Sequence, residues 1–272
     1  GVRTARERHG PFLLSPSTLA VAMLDPASES AFLITQHWSA YTPEDHEVWA
    51  TLYARRMASL RVTGSAVFLR GADAIGLRPD RVPHLEDVNR RLAARTGWSA
   101  VPVSGFLPAR AFFACLAQRR FPTTVIIRPK ERLDYLPEPD IFHDVFGHVP
   151  MHADPVFARF LQAFGGAAMA AQTDQQVEAM ARLFWFTVEF GLIREGGEVK
   201  VYGSGLISSS GDAANALGPS CERRPFRLEV VLAQPYEIDH LQAVLFVIDS
   251  YDQLFAALES ARALVGLGAP TG

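Results

Sequence analysis

The chain has 272 residues, 26 basic and 29 acidic side chains and a formal net charge of −3. It is long enough to bury one substantial core, and it carries no basic footprint for nucleic acid. Its two cysteines, Cys115 and Cys221, exclude a disulfide framework and point to a reducing, cytoplasmic setting. The apolar stretch 11–24 is interrupted by Ser15, Pro16, Ser17 and Thr18. It is too short to span a bilayer and lacks the pattern of a signal peptide, so no membrane partner is expected.

No repeat, low-complexity segment or convincing linker divides the chain, and helices dominate. Thr42-Pro43-Glu44-Asp45 starts the first, with proline at the first helical position and acids in the first turn. Trp49, Leu52, Tyr53, Met57 and Leu60 form its apolar stripe. Leu85, Val88 and Leu92 mark a second helix, ended by Gly97. Further helices are expected over 109–119 and 155–164, the latter turning Phe157, Phe160, Leu161 and Phe164 inward. The longest is expected over 174–193. Ser250 should cap a last helix, with Gln253 placed to close a capping box. Short strands are expected at 124–127, 199–202 and 243–248, giving a mainly helical α+β fold.

Two histidines stand in the run Pro137-Glu138-Pro139-Asp140-Ile141-Phe142-His143-Asp144-Val145-Phe146-Gly147-His148. Further on, Glu189 is the only charged residue between Leu183 and Ile193. A stretch that apolar is buried, and an unpaired carboxylate in it would be costly or would take up a proton. Taken alone, Glu189 fits a buried ion pair with an arginine as well as it fits a metal. Taken with His143 and His148, it completes the two-imidazole, one-carboxylate set of a non-haem Fe(II) oxygenase. The spacing poses a problem, because residues i and i+5 of an ideal α-helix point about 140° apart. Gly147 and Pro150 permit a distortion that would let the two imidazoles converge. A zinc protease would use His-Glu-x-x-His. His148 and His152 have that spacing but enclose Pro150 and no glutamate.

Three runs then carry a resemblance: Leu136 to Pro150, Phe184 to Gly191 (Phe-Trp-Phe-Thr-Val-Glu-Phe-Gly) and Tyr202 to Ser209 (Tyr-Gly-Ser-Gly-Leu-Ile-Ser-Ser). Together they resemble the catalytic domain of the tetrahydropterin-dependent aromatic amino acid hydroxylases. The wording Phe-His-Asp-Val-Phe-Gly-His is most similar to the family's small bacterial phenylalanine 4-hydroxylase branch. The resemblance implies an N-terminal extension over 1–41 and one iron- and pterin-dependent catalytic domain over 42–265.

It also implies roles. His143, His148 and Glu189 would hold Fe(II). The backbone of Gly105, Phe106 and Leu107 would bind a tetrahydrobiopterin-type cofactor that stacks on Phe112 and is lined by Phe184. Asp144 stands beside the first histidine, where many relatives carry glutamate, and would reach pterin or water. Arg128 would grip the carboxylate of the amino acid, a task its planar fork suits. Leu136, Pro137, Trp185, Gly205, Ser208 and Ser209 would form the rest of the substrate wall, with Leu136 replacing a threonine of the animal enzymes. Without the resemblance, Phe112 reads as core beside Leu116, Arg128 as a surface charge, and the serines as turn residues. The activity implied is hydroxylation of L-phenylalanine to L-tyrosine with O₂. Alternatives are a sister tryptophan or tyrosine hydroxylase and, more remotely, a metal-dependent hydrolase. No heptad run is present that could zip chains together, so the expected state is a monomer.

Overall fold

The computed structural model describes residues 32–267, apart from 106, 135–137 and 239. Phe106, Leu136 and Pro137, named above as site residues, therefore lie outside the described residues, as does most of the expected N-terminal extension.

The first predicted helix, α1 (Pro43–Thr63), starts as its sequence dictates. The Thr42 hydroxyl accepts from the Asp45 N–H, and the Asp45 carboxylate accepts from the Thr42 N–H. A capping box of this kind satisfies two of the donors that a helix start leaves open. Helix α2 (Ala66–Ala74), absent from the sequence reading, is capped by Ser65. Helix α3 (Leu85–Thr96) buries Leu85, Val88 and Leu92 and ends at Gly97 with φ +74°. Then come strand β1 (Ser99–Pro102), helix α4 (Ala109–Ala117) and strand β2 (Arg120–Thr123), which pairs with β1 in parallel.

The strand expected at 124–127 lies instead at Arg120–Thr123. Backbone donors past Thr123 go to carboxylates rather than to a neighbouring strand. The N–H groups of Thr124 and Arg128 donate to Asp144 and Asp140. A π-helical turn (Phe142–His148) and a 3₁₀ turn (Val149–Ala153) lead into helix α5 (Pro155–Met169), five residues longer at its C-terminal end than expected.

The helix expected over 174–193 is a composite. Helix α6 (Asp174–Phe184) passes into a second π-helical turn (Trp185–Glu189), and strand β3 (Leu192–Glu195) follows directly. From Leu183 to Ile193 the chain is apolar apart from Glu189, and both boundaries fall inside that run, so hydrophobic periodicity does not mark the change. Strand β4 (Glu198–Val201) returns antiparallel across Gly196 and Gly197, whose φ values are +60° and +86°. Positive φ at both central positions is what a type I′ hairpin needs, and two glycines supply it without strain.

Two short helices, α7 (Ser204–Ser208) and α8 (Ser210–Leu217), precede strand β5 (Glu222–Pro225). Helix α9 (Leu228–Ala233), strand β6 (Val244–Ile248) and helix α10 (Tyr251–Leu264) complete the chain. The larger sheet runs β4-β3-β6-β5, with both pairings of β6 parallel. Ser250 precedes α10 as expected, but its side chain makes no capping bond. Gln253 reaches back to the Asp249 N–H instead. The core is aromatic-rich: Trp49, Trp98, Phe68, Phe121, Phe142, Phe146 and Phe157 are all essentially inaccessible. Phe142 and Phe146 stack at 4.5 Å beneath α1 and α2, and so hold the first π turn against the core.

Candidate metal centre

The π geometry resolves the spacing problem of the two histidines. Its hydrogen bonds run from i to i+5 rather than i to i+4, so residues five apart come round to the same side. His143 and His148 sit near the two ends of this turn, their ring centroids 5.1 Å apart. Glu189 comes from the end of the second π turn. His148 Nε2 lies 3.2 Å from Glu189 Oε1, and His143 Nε2 lies 3.8 Å from Glu189 Oε2. One ligand atom from each of the three falls within 4.8 Å of the others.

His143 Nε2, His148 Nε2 and Glu189 Oε1 are buried and have no hydrogen-bond partner. Buried polar atoms are almost always paired, and three orphans converging on one point fit a cation held between them. The electrostatics agree. Burial is the largest influence on His143 and lowers its pKa to about 4, keeping the imidazole neutral. For Glu189, burial acts to raise the pKa, but His148, His143 and the Ser204 hydroxyl outweigh it and leave the group at about 2. A neutral imidazole and an ionised carboxylate are the states a metal requires.

Outer contacts set the orientation of these groups. The Ser208 hydroxyl donates to the Ser204 carbonyl at 2.8 Å, so it accepts from His143 Nδ1 at 2.8 Å. That places the proton of His143 on Nδ1 and leaves Nε2 with its lone pair toward Glu189 and His148. Ser204 Oγ donates to Glu189 Oε2 at 2.7 Å. Beside His148, the ring of Phe121 packs at 4.6 Å.

The other expected site residues divide into those that gather and those that face elsewhere. Arg128 is buried and not a surface charge. Its Nε and Nη2 donate to Asp140 Oδ2 and Oδ1 at 2.8 and 2.9 Å, and Nη1 donates to the Leu133 carbonyl. Asp140 also accepts from the N–H of His143 at 3.0 Å, which ties this pair to the first ligand. Burial would raise the Asp140 pKa, but Arg128 overcomes it and holds the carboxyl below the usual range.

Asp144 Oδ2 accepts from the N–H and hydroxyl of Thr124, while Oδ1 is buried without a partner. Burial raises its pKa to about 7. Phe112 and Phe184 meet edge to face at 5.7 Å and are both buried. Leu107 is buried as well, and Gly105 has φ +152° with open space around its Cα. Trp185 stacks on Tyr236 at 4.7 Å and donates from Nε1 to Gln242. Ser209 caps α8 by accepting from the Asp212 N–H and is only partly buried. Gly205 lies over the backbone carbonyl of Glu189 and the ring of Phe190.

Sequence reasoning missed Asp140, Thr124 and Ser204. Asp140 stands three residues before His143 within the same motif, and Ser204 lies inside Tyr202-Gly-Ser-Gly. Neither position announces its partner.

Two π turns presenting two imidazoles and a carboxylate define the class: a protein with a mononuclear metal site of the 2-His-1-carboxylate kind found in non-haem iron oxygenases. Comparison with known proteins narrows it. The sequence model of the biopterin-dependent aromatic amino acid hydroxylases matches residues 37–263, and the chain belongs to that family. The phenylalanine-4-hydroxylase of Caulobacter vibrioides is 44% identical over 230 residues, covering 84% of this chain and 78% of that protein. Human tyrosine 3-monooxygenase is 41% identical over 227 residues, 81% of this chain but only 42% of its own length. The crystal structure of Chromobacterium violaceum phenylalanine hydroxylase with iron(III) and the oxidised cofactor 7,8-dihydrobiopterin superposes with a TM-score of 0.83. The two are 39% identical, and the match covers 94% of each chain.

Proposed function

We infer that the protein is a phenylalanine 4-monooxygenase, converting L-phenylalanine and O₂ to L-tyrosine with iron and a tetrahydropterin. The observation that carries this is the convergence of three partnerless ligand atoms in a chain that matches bacterial phenylalanine-4-hydroxylases over most of their length. Iron bound there would supply a centre for activating dioxygen, with the pterin supplying electrons. The protein's own work is to hold ligands, cofactor and substrate in register and to keep water out. His143, His148 and Glu189 would hold the metal on one face.

The cofactor and substrate assignments extend that reading. Phe112, Phe184 and Leu107 would form the wall against the pterin, and the open space beside Gly105 would let the cofactor approach its backbone closely. The partnerless Oδ1 of Asp144 would take a proton donor from pterin or water. Arg128 has five N–H groups; three are engaged, leaving one on each terminal nitrogen for the amino acid carboxylate. Trp185 would lie against the substrate ring, with Gly205, Ser208 and Ser209 beyond it. We also propose a monomer, and a cytoplasmic location consistent with two buried cysteines.

The test is direct. Anaerobic Fe(II) titration should saturate at one equivalent per chain. The iron-loaded protein should form tyrosine from phenylalanine in proportion to pterin oxidised, and much more slowly oxidise tyrosine or tryptophan. Alanine at His143, His148 or Glu189 should abolish turnover. Full activity after Glu189→Ala would overturn the assignment.

A further inference from the structure

Ser204 has been assigned no part in holding metal, pterin or substrate, yet it touches the metal centre from two directions. Its side chain is buried, and Oγ donates to Glu189 Oε2 at 2.7 Å. This is the one hydrogen bond to the Glu189 carboxylate among the described residues. Its carbonyl accepts from Ser208 Oγ, which in turn is bonded to His143 Nδ1. A single helical turn therefore reaches two of the three ligands.

That turn is itself fixed. A Cβ added at Gly147, in the first π turn, would lie 3.1 Å from the Ser204 carbonyl oxygen and 3.4 Å from its Cβ, so helix α7 rests directly on the ligand-bearing turn. At the far end of α7, the buried Arg56 donates from Nη2 to the Leu206 carbonyl and from Nε to the Ile207 carbonyl.

The terminal torsion of a glutamate is broad, and nothing intrinsic selects which oxygen faces the metal. In this site the selection is visible: Oε2 is occupied by the Ser204 hydroxyl, and Oε1 is the oxygen left bare beside His148 Nε2.

We propose that Ser204 is a positioning residue whose hydroxyl fixes the rotation of the Glu189 carboxylate, so that Oε1 is presented to the metal while His143 is held from the same turn. The inference rests on the metal reading given above. Groups that orient a metal's ligands typically contribute about 10- to 100-fold to metal affinity when removed. An alanine at 204 leaves the carbonyl that holds Ser208 in place, so its effect should fall on Glu189 alone.

The experiment is a titration of the full, metal-free chain with Co(II), followed by its visible absorption, for wild type, Ser204→Ala, Ser204→Thr and Glu189→Ala. All are measured well below the melting temperature of each metal-free protein. Ser204→Ala should bind Co(II) about 10-fold or more weakly, with an altered Co(II) spectrum. Ser204→Thr, which keeps the hydroxyl, should bind more tightly than Ser204→Ala. Affinity and spectrum indistinguishable from wild type in Ser204→Ala would overturn the proposal. So would equal weakening in the alanine and threonine variants, which would show that packing rather than the hydroxyl matters. If Glu189→Ala also binds Co(II) like wild type, the metal reading itself fails. If only Ser204→Ala does, the failure is confined to Ser204.

Discussion

Arg128 and Asp140 form a buried, bidentate pair, tied to the metal centre by the bond from the His143 N–H to Asp140. Truncating one member of such a pair leaves an uncompensated charge, so the informative change at Arg128 keeps the charge. Lysine cannot reproduce two parallel N–H bonds to Asp140 and still offer two more to a substrate carboxylate. Arg128→Lys should raise the KM for phenylalanine, with Fe(II) stoichiometry retained. If the ring is then held less well, less tyrosine forms per pterin oxidised. An unchanged KM together with unchanged coupling would remove Arg128 from substrate binding.

At this scale the sequence was informative about charges and poor about their partners. Glu189 stood out as a lone carboxylate in an apolar run, and the histidines stood out beside it. Their partners lie 15, 12 and 20 residues away in the cases of Ser204–Glu189, Arg128–Asp140 and Thr124–Asp144. Such pairings are chosen by tertiary packing, and no local pattern reports them.

The elements around the site explain both what was legible and what was not. Helix starts were readable because caps are local chemistry: Thr42 with Asp45, and the left-handed Gly97 at a helix end. The two π turns were hidden, although the i, i+5 spacing of the histidines demanded a departure from α geometry. The end of the 174–193 segment was hidden too, because buried helix and buried strand are both continuously apolar. The Gly196-Gly197 pair between β3 and β4 was a usable signal that went unread.

The backbone at the end of the second π turn lies in close contact with Gly203. A Cβ at Gly203 would stand 2.3 Å from the Gly191 nitrogen and 2.4 Å from the Glu189 carbonyl oxygen. Backbone cannot swing aside as a flexible side chain can, so Gly203→Ala should push on the segment carrying Glu189. Overpacking of this kind costs about 1–3 kcal/mol. We expect a lower urea midpoint with an unchanged slope, and weaker Co(II) binding than wild type. A midpoint and affinity equal to wild type would show that the contact relaxes freely.

For the molecule as a whole, the reading of a mainly helical α+β fold from helix and strand signals matches the structure, and one continuous hydrophobic core runs from α1 to α10 among the described residues. The last helix bears on how the chain behaves in solution. Along α10 the residues Tyr251, Leu254, Ala257, Leu258 and Ala261 are buried, and the helix packs on α5 of its own chain. Its apolar stripe is therefore satisfied within the fold and is not left as a seam for a partner helix. Among the described residues, the large hydrophobics that remain exposed are Leu33 and Ile34, Val62 at the end of α1, Ile126 before Arg128, Val230 on α9, Leu241 before β6, and Phe255 and Leu264 on α10. Exposed hydrophobics spread over several elements in this way are ordinary on a protein surface. A stable dimer would need roughly 1,200–2,000 Å² of buried surface with an apolar centre. The expected outcome of sedimentation velocity is one species at the mass of a single chain, unchanged over a wide range of protein concentration and by addition of phenylalanine. Activity should then rise hyperbolically with phenylalanine, because a single site on a single chain has no second site to couple to. A concentration-dependent shift to a dimer or tetramer would overturn the monomer proposal while leaving the metal and substrate assignments untouched.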